Sequence, residues 1–253
     1  MTCSTPLRSE PQKTEMWYSL NLFLKRFFDI LLSAAAIVVL LPVWMVIALA
    51  IKCDSAGPVL FAQERRTKGG RLFKMYKFRS MVVNAEHMGT GLFNYKDDPR
   101  VTRVGRSLRN GSLDELPQLF NVLKGDISLV GPRPCVSYEL GDFETLNRKY
   151  KKRFEVRGGI TGLAQIRGRN ENSWEEKVTY DNLYIDGFKR QGILLDIKIL
   201  LGTVAKVFRK QDIYEEKQRG DMDDAEAAKY AEVEIIRMAH LPDEADAEEM
   251  AVR

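Results

Sequence analysis

The side chains best suited to chemistry lie in residues 103–134, RVGRSLRNGSLDELPQLFNVLKGDISLVGPRP. Asp114 and Glu115 are adjacent carboxylates, and Ser112 stands three residues before Glu115, a spacing typical of a helix capping box. Both carboxylates are therefore predicted in the first turn of a helix, where the positive end of the helix dipole stabilises anions. Because adjacent helical residues point about 100° apart, we expect one carboxylate to react and the other to support it.

A carboxylate at this position can do phosphoryl chemistry. It can attack phosphorus to give an acyl phosphate, which divides one difficult transfer into two easier ones. Attack on an anionic diphosphate requires Mg²⁺ and arginines to neutralise charge, and Arg103, Arg106 and Arg109 precede the carboxylates at near-helical spacing. An ordinary explanation stays open from these residues alone: acidic residues stabilise helix starts, and arginines can face lipid headgroups.

The charge of the chain is divided between a basic body and an acidic tail. The net charge of the 253 residues is +4, but residues 211–253 contain fourteen Asp/Glu against five Lys/Arg. The remaining body therefore favours anionic partners such as phosphate groups, nucleic acid or acidic lipid. Three scattered cysteines and two histidines predict neither a disulfide framework nor a zinc centre.

A membrane-associated segment precedes this body. Residues 30–51 contain no charged side chain over twenty-two residues, which is long enough to span hydrocarbon. Pro42 lies near the middle, where it removes a helical hydrogen bond at a cost of about 3 kcal/mol. A signal peptide is disfavoured because the run exceeds the usual length. A kinked spanning helix and a re-entrant hairpin, with two half-length helices meeting at Pro42, remain; basic residues on both flanks favour the hairpin.

The rest of the chain predicts a mainly helical α+β fold with a small β element and amphipathic interfacial helices. A strand pair is predicted in residues 57–81, turning at Gly69-Gly70, and a short strand in DISLVGPRPC. Aromatic residues among the lysines of this strand pair could stack on bases, but the apolar anchor favours lipid over nucleic acid as the partner. Helices are predicted over residues 101–108, 113–123, 137–154, 173–186, 193–209 and 225–240, the last one solvated or self-associating.

These patterns divide the chain into four parts. Residues 1–21 form a polar leader, 22–52 the re-entrant membrane helix, 53–210 the cytoplasmic catalytic domain and 211–253 an acidic tail with one helix. The oligomeric state is left open, with a homo-oligomer among the possibilities.

Successive motifs of this sequence resemble one family. KRFFDILL, the apolar run with its proline, KMYKFRSM, SLDELPQLFNVLKGDISLVGPRP, GITGLAQIRGRN and WEEKVTYDNLYI resemble, in order, motifs of the bacterial monotopic phosphoglycosyl transferases, also called bacterial sugar transferases. The resemblance covers residues 22–209. It implies transfer of a sugar 1-phosphate from a UDP-sugar to undecaprenyl phosphate with release of UMP, the first membrane step of exopolysaccharide, O-antigen or capsule assembly. It also implies a location at the bacterial inner membrane, with the catalytic domain on the cytoplasmic face.

The resemblance also implies roles for individual residues. Asp114 is expected to be the nucleophile and a ligand of Mg²⁺, with Glu115 as its partner. The residues expected to hold phosphate or nucleotide are Arg109, Arg133 and Arg169, since guanidinium groups bind such anions in a bidentate manner. Three further residues match family motifs with two interpretations each: Lys77 contacts phosphate or lipid headgroups, and Asp181 and Asp196 contact substrate or brace the site through buried ion pairs.

Overall fold

The computed structural model describes residues 10–85, 88, 98–168, 173–209 and 235–240. In this part of the chain helices predominate over two small two-stranded sheets, so the predicted mainly helical α+β class with a small β element is confirmed. The elements are α1 (Glu10–Asp54), β1 (Leu60–Arg66), β2 (Leu72–Phe78), α2 (Arg103–Asn110), α3 (Gln118–Lys124), β3 (Ser128–Val130), α4 (Arg148–Lys152), β4 (Gly159–Thr161), α5 (Leu163–Arg167), α6 (Trp174–Gln191) and α7 (Ile193–Arg209). Two 3-10 turns, Lys68–Gly70 and Leu113–Glu115, complete them.

The two sheets bring distant parts of the chain together. Strands β1 and β2 form an antiparallel hairpin, and the chain reverses through Gly69 and Gly70, whose φ values of 65° and 75° suit glycine. This is the predicted strand pair. Strands β3 and β4 are parallel, which places the Gly-Pro-Arg-Pro segment after β3 beside the Gly-rich segment around β4. Leu129 of β3 packs against three hydrophobic clusters and so joins them into one core.

The helix predicted over residues 137–154 is mostly absent. Only Arg148–Lys152 is helical there. The chain turns at Gly141, which has a φ of 72°, a conformation that ends helical continuation. The helices predicted over 173–186 and 193–209 are present as α6 and α7.

Helix α1 dominates the N-terminal part of the fold. It is the one helix among the described residues that is long and apolar enough to cross a membrane. Pro42 lies inside it, so the structure does not show the predicted break into two half-length helices. A proline removes one backbone hydrogen bond and bends a helix. The flanking turns contain neither glycine nor a second proline, the two residues that most disfavour continuation of a helix.

One face of α1 is buried along its length, and the opposite face is exposed. Asn21, Ser33, Trp44 and Ile51 belong to the buried face, at separations that fit one side of a helix. The exposed face carries large apolar side chains: Phe23, Phe27, Leu31, Val38, Val39, Val46 and Leu49. A continuous apolar surface of this kind marks an interaction with a partner or a membrane.

Charged residues near the start of α1 attach it to the rest of the fold. Lys25 forms an ion pair with Asp196 of α7 at 2.5 Å. Arg26 donates to two carbonyl oxygens in the last turn of α3, at 2.6 and 2.8 Å. Asp29 accepts hydrogen bonds from a hydroxyl and an amide group of β3, at 2.6 and 2.9 Å. Lys25 and Arg26, two of the basic residues that flank the apolar run, therefore bind protein atoms.

Residues 235–240 form a helical segment that packs on the body of the protein. Ala239 is fully buried in a hydrophobic cluster, and the amide of Asn147 donates to its carbonyl oxygen at 2.9 Å. The imidazole of His240 lies 2.9 Å from the carbonyl oxygen of Thr145 and 3.0 Å from that of Leu140. The prediction of a solvated or self-associating helix is wrong for this segment. Residues 225–234 of that prediction lie outside the described residues.

Candidate active site

A cavity of about 430 Å³ contains most of the residues singled out in the sequence. Its walls come from β2 and the segment after it, α2, the 3-10 turn Leu113–Glu115, the segment after β3, and helices α5 and α6. The predicted site residues in its lining are Lys77, Arg109, Asp114, Glu115, Arg133 and Asp181. Residues that are separated by more than one hundred positions in the chain thus converge on one space.

Asp114 is held in this cavity by the 3-10 turn and is only 7% exposed. Burial raises the pKa of its carboxyl above the ordinary value, as does the neighbouring Glu115, while Lys77, Arg109 and Arg133 act in the opposite direction. In the described part of the chain, the carboxyl has no hydrogen-bond or ion-pair partner. A buried carboxylate that is surrounded by cations and bound to none of them is available to a ligand.

Glu115 has a different environment from its neighbour. The guanidinium of Arg133 donates to both of its carboxylate oxygens, with a separation of 3.3 Å between Nη1 and Oε2. Lys77 donates to Oε1 at 3.3 Å. Glu115 raises the pKa of Arg133, whereas burial lowers the pKa of Lys77. The two carboxylates therefore differ in their contacts: Glu115 binds two cations, whereas Asp114 binds none among the described residues.

The local turn that presents both carboxylates differs from the predicted capping box. Ser112 has left-handed backbone angles, φ 53° and ψ 21°, and its side chain makes no capping hydrogen bond. The capping-box prediction is therefore wrong. A non-glycine residue in this region is uncommon, and such conformations are concentrated at functional sites.

Of the three arginines that precede the carboxylates, Arg109 reaches the cavity. Its Nε donates to the hydroxyl of Ser80 at 3.0 Å. Arg103 is almost fully exposed and lies 3.8 Å from Asp54 at the end of α1. Arg106 is exposed as well. Of the three arginines predicted to neutralise a bound anion, only Arg109 therefore lies at the cavity.

Asp181 lies in the same cavity but is tied to an arginine. Arg153 pairs with it at 2.9 Å, and both side chains are almost completely buried. The same guanidinium donates to the carbonyl oxygen of Arg133 at 2.8 Å. Burial raises the pKa of Asp181 to about 6, although Arg153 opposes this shift. The pair therefore connects α6 with the segment that carries Arg133.

Asp196 does not join this cluster. Asp196 binds Lys25 and accepts a hydrogen bond from the Tyr184 hydroxyl at 2.9 Å, and it is not among the residues that line the cavity. Arg169 lies outside the described residues. Pro42 lies in α1.

The cavity residues that were not singled out in the sequence include Arg153, Gln165, Trp174 and Lys177. The guanidinium of Arg153 lies 4.9 Å from the ring centre of Trp174, and the Lys177 amine lies 5.6 Å from it. The Gln165 carboxamide has no hydrogen-bond partner among the residues described. Gln165 and Trp174 belong to two of the family-like motifs, GITGLAQIRGRN and WEEKVTYDNLYI. Their place in these motifs is the sequence feature that could have identified them as site residues. Arg153 lay at the end of a helix that was predicted too long.

No group of three histidine, cysteine or acidic residues suited to a metal ion occurs in the described residues. A divalent cation held by Asp114 would take its other ligands from a substrate and from water. Phosphate oxygens combined with one or two carboxylates form a common Mg²⁺ site. The residues present fit an ion that binds together with a diphosphate.

Comparison with known proteins identifies relatives over the same region. The chain is 44% identical over 200 residues to the UDP-glucose:undecaprenyl-phosphate glucose-1-phosphate transferase of Klebsiella pneumoniae, covering 77% of this chain and 42% of that protein. It is 40% identical over 206 residues to the undecaprenyl-phosphate galactose phosphotransferase of Salmonella typhimurium, covering 76% and 42%. The exopolysaccharide production protein PSS of Rhizobium leguminosarum bv. phaseoli is 42% identical over 193 residues, with 73% and 95% covered.

The chain spans about two fifths of the length of the first two relatives. The matched region contains α1 from residue 20 onwards, the cavity and both sheets. The family model for bacterial sugar transferases matches residues 20–210, which include every residue placed in the cavity. The chain therefore belongs to the bacterial sugar transferase family.

Proposed function

We propose that this protein transfers a sugar 1-phosphate from a UDP-sugar to undecaprenyl phosphate, with release of UMP. The names of the relatives support this substrate pair. The observation that carries the proposal is the environment of Asp114, a buried carboxylate without a bound partner among the described residues and with Lys77, Arg109 and Arg133 around it. Such a site matches the charge of a diphosphate and offers a nucleophile to it.

The proposed reaction has two displacements at the same phosphorus. An Asp114 carboxylate oxygen attacks the phosphorus that bears the sugar, and the bond from this phosphorus to the bridging oxygen breaks. The electron pair leaves with UMP. A phosphate oxygen of the acceptor lipid then attacks the same phosphorus and releases the Asp114 carboxylate.

Two other groups of the chain support these displacements. Glu115 holds Arg133 and Lys77 in place, so their positive charges face the phosphoryl oxygens without reorganisation during the reaction. Arg109 lies at the same cavity wall, held by Ser80. We infer that these three cations bind the diphosphate, which assigns Lys77 to phosphate rather than to lipid headgroups.

Mg²⁺ is proposed as the cofactor, with Asp114 as its protein ligand. When bound, the ion neutralises diphosphate charge and so permits attack by an anion. Removal of divalent cations with a chelator is expected to abolish turnover, and addition of Mg²⁺ to restore it. Unchanged turnover in the chelator would contradict this part of the proposal.

We also propose that α1 enters the bilayer and returns to the same face, with its bend at Pro42. Both ends of α1 contact the catalytic domain: Lys25 binds Asp196 at one end, and at the other end Asp54 accepts the Val104 amide at 3.0 Å. A helix that crossed the hydrocarbon core, about 30 Å thick, would carry one of these polar ends away from the domain. The acceptor phosphate lies at headgroup depth, where a domain held on the cytoplasmic face of the inner membrane can reach it.

Labelling of two cysteines tests this topology. Cys53 is naturally exposed at the end of α1, and Ser19→Cys in a Cys3→Ser background provides an exposed position near its start. A membrane-impermeant maleimide is applied to spheroplasts and to inverted vesicles. Re-entry predicts that both positions react only in inverted vesicles. Reaction of the two positions from opposite sides would show that α1 crosses the membrane.

The activity is tested with a panel of UDP-sugars and undecaprenyl phosphate. We expect UMP release together with labelled lipid for at least one donor, and this assay also identifies the sugar. Asp186→Asn is the matched control for the loss of the Asp114 carboxylate in Asp114→Asn. Asp186 is a partly exposed carboxylate that pairs with Lys152 away from the cavity lining. Binding of UDP-sugars without UMP release would indicate instead a membrane-anchored binding or regulatory protein.

A further inference from the structure

A second cavity, of about 270 Å³, adjoins the catalytic cavity. The two share Glu115, Arg133 and Gln165 in their linings. The remaining lining is mostly apolar and includes Leu116, Leu119, Leu129, Ile160, Ile166 and Leu200. We call this space the apolar groove. It begins at the residues that hold the phosphate chemistry and continues into a hydrocarbon-like environment.

The lining of the groove disfavours the polar donor, although Ser112, Thr161, Thr203 and Lys206 add some polar groups to it. A UDP-sugar carries hydrogen-bonding groups throughout its sugar, ribose and base, and burial of these groups against leucine and isoleucine would leave them unpaired. An isoprenoid phosphate has the opposite distribution, with charge at one end and hydrocarbon beyond it. The order of surfaces, first cationic and then apolar, matches that molecule.

The helices that form the groove also carry an apolar outer surface. Phe120 of α3 is exposed, as are Leu201 and Val204 of α7. Both helices therefore contribute to the surface that we propose to face lipid. An acceptor lipid would therefore reach the groove from this surface.

Gln165 lies where the two cavities meet. Both polar atoms of its carboxamide are buried and have no hydrogen-bond partner among the described residues. An unpaired buried amide is destabilising, so a ligand that supplies the partner would gain affinity. A phosphate or phosphoryl oxygen at this junction can accept from the amide nitrogen.

We propose that the apolar groove holds the isoprenoid units next to the acceptor phosphate and that Gln165 positions this phosphate at Asp114. This inference rests on the proposed function. The donor would then occupy the catalytic cavity, and the acceptor would approach the phosphorylated Asp114 from the groove. The two substrates would use different walls of one site.

The test measures how the acceptor chain affects kcat/KM. Ethyl phosphate, which has no isoprenoid unit, is compared with citronellyl phosphate, which has two units. We expect the parent protein to prefer citronellyl phosphate by about tenfold or more, because burial of each methylene stabilises by roughly 0.8 kcal/mol. A parent protein that turns over undecaprenyl phosphate without this preference would overturn the groove assignment while leaving the proposed function intact. Absence of turnover with every UDP-sugar and undecaprenyl phosphate would instead refute the proposed function.

Variants that fill the groove sharpen the test. Leu200→Trp is expected to reduce the chain preference to less than about threefold and to leave the KM of the UDP-sugar unchanged. Leu201→Trp is the matched control, since Leu201 is the residue after Leu200 in α7 but is 67% exposed. This variant should retain the parental preference for citronellyl phosphate. Ile166→Phe gives a second filling variant should Leu200→Trp not fold. A filled groove that keeps the full preference would overturn the inference.

Gln165→Ala tests the positioning role separately. It removes the carboxamide without adding bulk or charge. We expect the KM of the acceptor to rise about tenfold, as for loss of one hydrogen bond to a charged group, while the KM of the UDP-sugar stays near the parental value. An equal rise for both substrates would assign Gln165 to general support of the site and overturn its role toward the acceptor.

Discussion

Asp114 and Asp181 are two buried aspartates in one cavity, and they differ in what binds them. Asp181 is paired with Arg153 at 2.9 Å, whereas Asp114 has no direct partner in the described residues although three cations lie near it. Burial raises the pKa of both carboxyls. The difference separates two uses of a buried charge: a paired charge fixes the positions of neighbouring segments, and an open one can react or bind a ligand.

Asp196 extends the same comparison to α7. Its carboxylate accepts from Lys25 and from the Tyr184 hydroxyl, and burial raises its pKa. It is paired like Asp181 and lies away from the cavity lining. Both aspartates were expected either to contact substrate or to brace the site. The contacts of Asp196 favour a role in bracing the site. Asp181 also braces neighbouring segments, but it lies in the cavity wall as well.

The largest expected effect follows from Asp114→Asn. The amide keeps the shape of the side chain but is not a nucleophile, so we expect turnover to fall by roughly 10⁴-fold or more. The stability of the folded protein should not decrease. A carboxyl whose pKa is raised on folding contributes stability below its unfolded pKa, and this contribution is lost as the pH rises through the folded value. At neutral pH the variant is therefore expected to unfold at the same or a higher temperature than the parent.

The contrary result for Asp114→Asn would be parental turnover, or a loss of activity that accompanies unfolding. Turnover is followed by UMP release, and folding by circular dichroism in the same detergent or nanodisc. The Asp186→Asn control shows what loss of a carboxylate outside the cavity does.

The corresponding change at the braced aspartate, Asp181→Asn, should act mainly on stability. It leaves the buried Arg153 guanidinium without its counter-charge, which destabilises by about 3 kcal/mol. Because Arg153 also binds the carbonyl oxygen of Arg133, we expect a further loss in kcat of about tenfold from misplacement of Arg133. Thermal unfolding and kinetics are measured on the same preparation. If Asp181→Asn were fully stable but as inactive as Asp114→Asn, the distinction between the two aspartates would be wrong.

The pH dependence of turnover gives a smaller and separable effect. Attack requires ionised Asp114, so activity should fall as the pH decreases through its raised pKa, with the half-maximal point above 3.8. Lys77 is the strongest of the opposing charges, and Lys77→Met is expected to move this acidic limb to higher pH. If the acidic limb shifted in Asp181→Asn and not in Lys77→Met, the titrating group would be Asp181, and its assignment to Asp114 would be wrong. The measurement is the pH profile of kcat/KM for the UDP-sugar, which reports the ionisation of the free protein.

The smallest expected effect concerns the C-terminal segment. His240→Ala removes hydrogen-bonding contacts with the carbonyl oxygens of Leu140 and Thr145. We expect a loss in unfolding free energy of about 1 kcal/mol and little change in kcat, because His240 is not among the cavity residues. Calorimetry measures the first and the UMP assay the second. A large drop in kcat without destabilisation would show that this segment contributes to the site directly.

The sequence predicted the parts of the fold that depend on local patterns. The β1–β2 hairpin followed from the turn at Gly69-Gly70, and helices were predicted over the regions of α6 and α7. It failed where tertiary contacts prevail over local preference. The helix expected from residue 137 gives way to a turn at Gly141, and Ser112 adopts left-handed angles in place of a capping box. The contacts of Lys25 and Arg26 could not be predicted from local pattern, because their partners lie about one hundred or more positions away in the chain.

The candidate site was predicted where the relevant residues share one short motif. Asp114, Glu115 and Arg133 lie within twenty positions of each other, and the structure brings them together. Arg153 escaped notice, since its importance comes from Asp181 on another helix, and an ion pair across twenty-eight positions leaves no local pattern. Likewise, the apolar groove is assembled from α3, β4, α5 and α7, and its lining is visible only after these elements have packed.

Intact-protein mass spectrometry tests most directly whether Asp114 reacts. The protein is incubated with Mg²⁺ and the preferred UDP-sugar in the absence of any lipid acceptor, and the peptide that contains Asp114 is then isolated. We predict one sugar phosphate attached to Asp114 with an equivalent amount of UMP, no adduct in Asp114→Asn, and an unchanged adduct site in Asp181→Asn. Full turnover with undecaprenyl phosphate, but neither adduct nor UMP release without it, would contradict a covalent role for Asp114.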